Sequence, residues 1–129
     1  MSIQNNFIRS FQVNAAMSAF YRVTVSSNGK LDLAGVDVLG IGILQEDCTA
    51  NTYETPAVRL WGTGTFKCAV TGNSITAGNT LIAVTGGLAA LTNGLAGNTG
   101  IVQGMALETA TGASINGTII EAALTPRNI

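Results

Sequence analysis

Apolar and polar side chains alternate over short runs in this chain, and glycine and asparagine interrupt them. Tyr21, Val23 and Val25 are interleaved with Arg22, Thr24 and Ser26, the period of a strand with one buried face. Asn28-Gly29 follows, a strong two-residue hairpin signal, and Leu31 and Leu33 alternate with Lys30 and Asp32 on the return. Past Ala34-Gly35 the run Val38-Leu39-Gly40-Ile41-Gly42-Ile43-Leu44 predicts another strand ending near Gln45, and residues 46–56 form a polar loop. Val58-Arg59-Leu60-Trp61 is extended, Gly62-Thr63-Gly64 marks a bend or bulge, and Phe66, Cys68 and Val70 then alternate with Lys67 and Ala69. Strands are predicted over 81–85, 88–91, 101–108 and 118–124, separated by Gly/Asn turns, with Pro126 stopping the last one. Helical periodicity is confined to one turn around residues 15–19.

Two of these strands share an order. In 38–44 and again in Val102-Gln103-Gly104-Met105-Ala106-Leu107-Glu108, an apolar opening leads to glycine, then bulky, small, bulky. Strand geometry puts Leu39, Ile41 and Ile43 on one face and Gly40 and Gly42 on the other. Met105 and Leu107 likewise oppose Gly104 and Ala106. A face of glycine and alanine lets another backbone come close. With Gly40 matched to Gly104, the second half replays the first. The expectation is an all-β, single-domain β-sandwich or barrel-like fold of about eight to ten short strands with a pseudo-duplicated strand pattern.

Residues 1–14 are read as an N-terminal arm and 15–129 as the β domain. In the arm Ile3, Phe7, Ile8, Phe11 and Val13 are dispersed among asparagine and glutamine. Two readings stay open: an extended arm docking its aromatics on a neighbour, or an edge strand folded back on its own core.

Charge and chemistry narrow the function. Charged residues make up 10% of the 129, against about 25% in ordinary soluble domains. A subunit of an assembly can place such a surface against partners. The net charge of −1 offers no basic patch, so no nucleic-acid partner is expected. No run of about 18 apolar residues occurs, so no membrane span is expected. The first twenty residues carry neither an early basic cluster nor a long apolar core, so synthesis in a cytoplasm is expected. Cys48 and Cys68 read as small, partly buried thiols, and Asn116-Gly117-Thr118 as a tight turn.

With no histidine in the chain, Ser/His/Asp and Cys/His arrangements are absent. Seven carboxylates remain, and their spacing groups no facing pair of the kind glycosidases use. Glu46-Asp47 reads as a solvated loop tip. Gly40-Ile41-Gly42 and Gly62-Thr63-Gly64 lack the third glycine and following helix of a dinucleotide site. The chain is expected to be a non-enzyme without cofactor or metal.

The ordered pieces Tyr21-Arg22-Val23-Thr24-Val25, Asn28-Gly29-Lys30-Leu31-Asp32-Leu33-Ala34 and Leu39-Gly40-Ile41-Gly42-Ile43 resemble the capsid cement, or head decoration, proteins of tailed bacteriophages. So do Ala57-Val58-Arg59-Leu60, Gly64-Thr65-Phe66-Lys67, Ile75-Thr76-Ala77-Gly78-Asn79-Thr80-Leu81, Gly104-Met105-Ala106-Leu107-Glu108 and Ile119-Ile120-Glu121-Ala122-Ala123-Leu124. The resemblance runs over residues 15–124. It implies a small β protein on the outer surface of the virion head, made in the host cytoplasm. There it bridges neighbouring major capsid proteins against internal DNA pressure, as a homotrimer or, in some members, a dimer. The family brings no catalytic motif. Contact with the capsid or a sister subunit is expected at Phe7, Ile8, Phe11, Gly40, Gly42, Trp61 and Gly104. The loop 46–56 and the first ten residues follow no family pattern. The rival expectations are another virion β domain, in tail or baseplate, and a carbohydrate-binding β-sandwich, whose aromatics Tyr21, Tyr53 and Trp61 lie on separate elements.

Overall fold

The alternating segments become strands in the computed structural model, which describes residues 8–35, 38–50, 53–62, 64–72, 74–84, 87–91, 101–112 and 117–128. The chain is all-β; no helix occurs among the described residues. A first unit contains β1 (Ile8–Ser10), β2 (Arg22–Val25), β3 (Leu31–Leu33), β4 (Gly42–Leu44) and β5 (Ala57–Leu60). A second contains β6 (Phe66–Val70), β7 (Thr80–Val84), β8 (Gly87–Leu91), β9 (Ile101–Ala106) and β10 (Thr118–Asn128).

The two units have one topology. Strands in the first sheet run in the order β1-β5-β4-β2-β3. Those in the second run β6-β10-β9-β7-β8, the same order shifted by five strands. Each sheet also curls until its two edges meet, β6 with β8 in the second unit and the segment just after β1 with β3 in the first. The joint is one parallel pair, Val13 with Leu31 in the first unit and Val70 with Leu88 in the second. All the other strand pairings are antiparallel. Each unit is therefore a barrel-like sheet hinged on a single bridge rather than a continuously bonded cylinder.

Repetition extends into the connections. Met17 and Cys48 exchange backbone hydrogen bonds of 3.1 and 3.0 Å, and Ile75 and Ala110 do so at 2.8 Å each way. The Phe20 N–H donates to the Leu44 carbonyl as that of Gly78 does to Ala106, and the Leu44 N–H donates to Tyr21 as that of Ala106 does to Asn79. Even a side chain repeats: a Glu46 oxygen accepts the Ala57 N–H at 2.9 Å, and a Glu108 oxygen accepts the Glu121 N–H at 2.6 Å.

This register corrects one expectation. Gly104 corresponds to Gly42, not Gly40: Gly42 pairs with Val23 and Leu60, and Gly104 with Leu81 and Leu124. Gly40 has a φ of 77°, a left-handed turn that breaks the expected strand and leaves only Gly42–Leu44 in the ladder.

Two cores match the two units. Val13, Met17, Val23, Leu31, Leu44, Cys48 and Val58 are buried together in the first. Their counterparts in the second include Val70, Ile75, Leu81, Ala106, Ala110 and Ala122. From Ile8 onward the amino-terminal segment belongs to the first unit. β1 pairs with β5 and Val13 is buried, which is the edge-strand reading for residues 8–14. Pro126 does not end pairing: β10 shifts register between Leu124 and Arg127 and resumes opposite Val102 and Ile101. A proline that cannot donate to the ladder is accommodated at such a shift.

Candidate interaction surface

The units meet where the outer side of β2, β4 and β5 faces the start of β6. Ile43 points away from its own core and is fully buried with Phe66 and the second core, against which Phe20 and Trp61 also pack. The Trp61 and Phe66 rings meet edge-on at 5.6 Å between centroids, and the Arg59 guanidinium lies 4.2 Å from the Phe66 centroid. Such contacts add to the area they bury.

Backbone and side-chain hydrogen bonds cross the same junction. The Ala69 N–H donates to the Phe20 carbonyl at 2.8 Å. Arg22, expected on a polar face by alternation, is instead the one fully buried charged side chain among the described residues. Its guanidinium donates to the carbonyls of Ala34, Gly35 and Val38 in the first unit and to Val84 in the second. Burial lowers its pKa to about 10, so it stays a cation at neutral pH. The five-donor fork of arginine suits a site that presents several carbonyls.

Phe20 is the strained member of this junction. Its φ of 70° is the only positive value at a non-glycine position among the described residues, and its counterpart Gly78 also has a positive φ, 94°. The second unit fills that left-handed position with glycine. The first unit accepts the strain and gains a ring against the neighbouring core.

The second unit has the same outer face, and it is open. Met105 pairs with Ala123 as Ile43 pairs with Arg59, yet Ile43 is 0% exposed and Met105 48%. Leu107 and Ile119 are exposed beside it. Around them stand Glu108, Glu121 and Lys67, the last opposite Glu121 in the β6–β10 ladder.

The residues singled out from the sequence are scattered through this structure. Gly42 and Gly104 make close approaches within the chain. A Cβ on either would lie 2.8 Å from a facing Cα, of Leu60 or Leu124 respectively, and would collide with the carbonyl oxygen of Arg59 or Ala123. The Gly40 carbonyl accepts the Trp61 indole N–H at 3.0 Å, so these two lie at the junction of the units. Phe11 packs on the first core with Arg9 5.0 Å from its ring centroid. Ile8 is 50% exposed on β1, and Phe7 lies outside the described residues. The signal that reasoning from sequence passed over was the exposed pair Met105 and Leu107, one residue either side of Ala106.

The carboxylates of the 46–56 loop cap backbone rather than gather. Asp47 accepts the Ala19 N–H at 2.8 Å, and Glu54 accepts the Thr49 N–H and hydroxyl. A hollow of about 380 Å³ nearby is lined by Met17, Ser18, Tyr21, Leu33, Asp47 and Cys48. Burial, reinforced by Glu54, Asp47 and Glu46 and opposed by a backbone hydrogen bond at Met17, raises the Cys48 thiol above its ordinary value, which disfavours the thiolate. No group of three or more metal-ligating side chains occurs among the described residues. No protein-family model matches the chain, and no curated protein matches it.

Proposed function

We propose that this chain is a structural virion protein that binds the outside of the mature phage head. It cements neighbouring major capsid proteins there as a homo-oligomer, a trimer in the first instance. The observation that carries this reading is the surface. Large apolar side chains such as Ile8, Leu39, Met105 and Leu107 stand exposed on a chain only 10% charged, which suits close contact with little ion desolvation. The twin barrel-like units supply a stiff body for that task. The carbohydrate-binding alternative is weakened, because Trp61 is committed to the Gly40 carbonyl and the Phe66 ring.

Co-sedimentation of the purified protein with undecorated, expanded heads tests the reading. Saturation at a copy number set by the capsid lattice is the expected result. Absence from heads, with the protein recovered on tails or free in lysate, would replace it with the tail or baseplate alternative or remove the virion role.

A further inference from the structure

Asn28-Gly29 turns the β2–β3 hairpin, and it is also the dipeptide in which an asparagine side chain is most readily attacked by the next backbone nitrogen. Glycine brings no Cβ to hinder the approach. The Gly29 nitrogen adds to Asn28 Cγ and gives up its proton, the Cγ–Nδ2 bond breaks, and ammonia departs from a five-membered imide. Water then opens the imide at either carbonyl and leaves aspartate or β-linked aspartate at position 28. The net change is one amide and one water for one carboxylic acid and one ammonia, with no redox step.

The structure holds both reacting groups away from that step. The Gly29 N–H donates to the Ser26 carbonyl at 2.9 Å. Asn28 Oδ1 accepts the Lys30 N–H at 3.0 Å and the Ser26 hydroxyl, and Asn28 Nδ2 donates to Asn14 Oδ1 at 3.0 Å. Turning the carboxamide onto the Gly29 nitrogen breaks these bonds together. Asn14 is the one member from outside the hairpin. Its backbone N–H donates to the Leu31 carbonyl at 3.0 Å. Its Nδ2 reaches Ser26 Oγ at 2.9 Å and Asp32 Oδ2 at 3.1 Å.

We propose that Asn28 is a latent deamidation site and that Asn14 is the latch on it. While residues 8–14 lie along the hairpin, the Asn28 amide is kept; when they lift, its Cγ is released to the Gly29 nitrogen. The product cannot re-form the latch. A carboxylate at position 28 has no N–H to give Asn14 Oδ1, and it competes with Asp32 for the single Asn14 amide. The modification is therefore one-way and favours release of the segment that gates it.

Peptide mapping by mass spectrometry, on the full chain held in warm, mildly alkaline buffer, reads aspartate and β-linked aspartate at position 28. Folded wild type converts roughly a hundredfold more slowly than the same chain in urea, the order expected when reacting groups are held out of line. Folded Asn14→Ala converts roughly tenfold faster than folded wild type, the weight of one lost hydrogen bond. Val58→Ala loosens the first core but keeps the latch, so its rate stays close to wild type. Asn28→Asp, standing for the product, is cut by trypsin after the exposed Arg9 several-fold faster than wild type. Four results would each overturn the inference: folded wild type converting as fast as in urea, N14A keeping pace with wild type, V58A matching N14A, or N28D no more open to trypsin than wild type. No heads are present, so the outcome is independent of whether the protein attaches to capsids.

Discussion

Gly42 and Gly104 meet the same wall in two different sheets. Each sits in the second inner strand of its unit, and for each the nearest obstacle to a side chain is a carbonyl followed by a Cα, Arg59-Leu60 or Ala123-Leu124. One local requirement, zero side-chain volume beside an adjoining strand, has been met twice by the same residue. The first prediction follows from it. Gly42→Ala and Gly104→Ala should each lower stability by about 2–3 kcal/mol in urea unfolding, the cost of overpacking a tight site. Gly29→Ala should cost only about 1 kcal/mol, since Gly29 needs its left-handed φ but has nothing within 4 Å. A loss at Gly42, which has no left-handed φ, no larger than at Gly29 would show that the Arg59-Leu60 backbone yields and that space does not decide.

Phe20 tests the junction from the other direction. Phe20→Gly relieves a left-handed backbone worth about 1 kcal/mol, yet it removes a ring packed on the second core. Loss of a packed ring costs about 3 kcal/mol, so the variant should be less stable by about 2 kcal/mol. A variant more stable than wild type in thermal unfolding would mean that the ring contributes little there.

Arg22 ties the two units through carbonyls on both sides. Arg22→Ala strands several buried acceptors, and should cost about 3 kcal/mol. Lysine at this position should recover little, because one ammonium cannot serve a fork of carbonyls. Calorimetry of R22A should also resolve two transitions where wild type shows one. A single sharp transition in the variant would place the coupling in the apolar contacts of Ile43, Trp61 and Phe66 instead.

Cys68 gives a pH dependence with a definite sign. Burial raises its thiol from 9.0 to about 12, so the folded protein keeps the proton while the unfolded chain releases it from about pH 9. Its contribution to stability is complete below that pH and is lost as pH rises toward 12. The slope approaches about 1.4 kcal/mol per pH unit within the window. Urea titrations from pH 8 to 11 should show a steeper alkaline decline for wild type than for Cys68→Ala. Superimposable pH profiles would show that the thiol ionises equally in both states.

Much of the architecture was legible along the chain. Period-2 alternation located β2, β3 and β6, the Asn28-Gly29 dipeptide located the β2–β3 turn, and the paired glycine strands announced the duplication. These are local signals, set by side-chain direction and turn conformation within a few residues. The placement of the arm was half legible: Ile8 and Phe11 read equally as a free arm or an edge strand until β5 was seen beside them.

What lies over each face was not legible, because alternation says which residues share a side and nothing about what covers it. Arg22 falls on the polar side by pattern but is buried among the carbonyls of Ala34, Gly35, Val38 and Val84. Gly40 looked like the partner of Gly104 by order alone, and only the ladder through Leu60 and Leu124 showed that Gly42 holds that place. By itself, the sequence determined an all-β chain built from two copies of one strand plan. The tertiary structure alone decided that Ile43 is fully buried while Met105 is half exposed, since that difference depends on the start of the second unit packing against the outer face of the first.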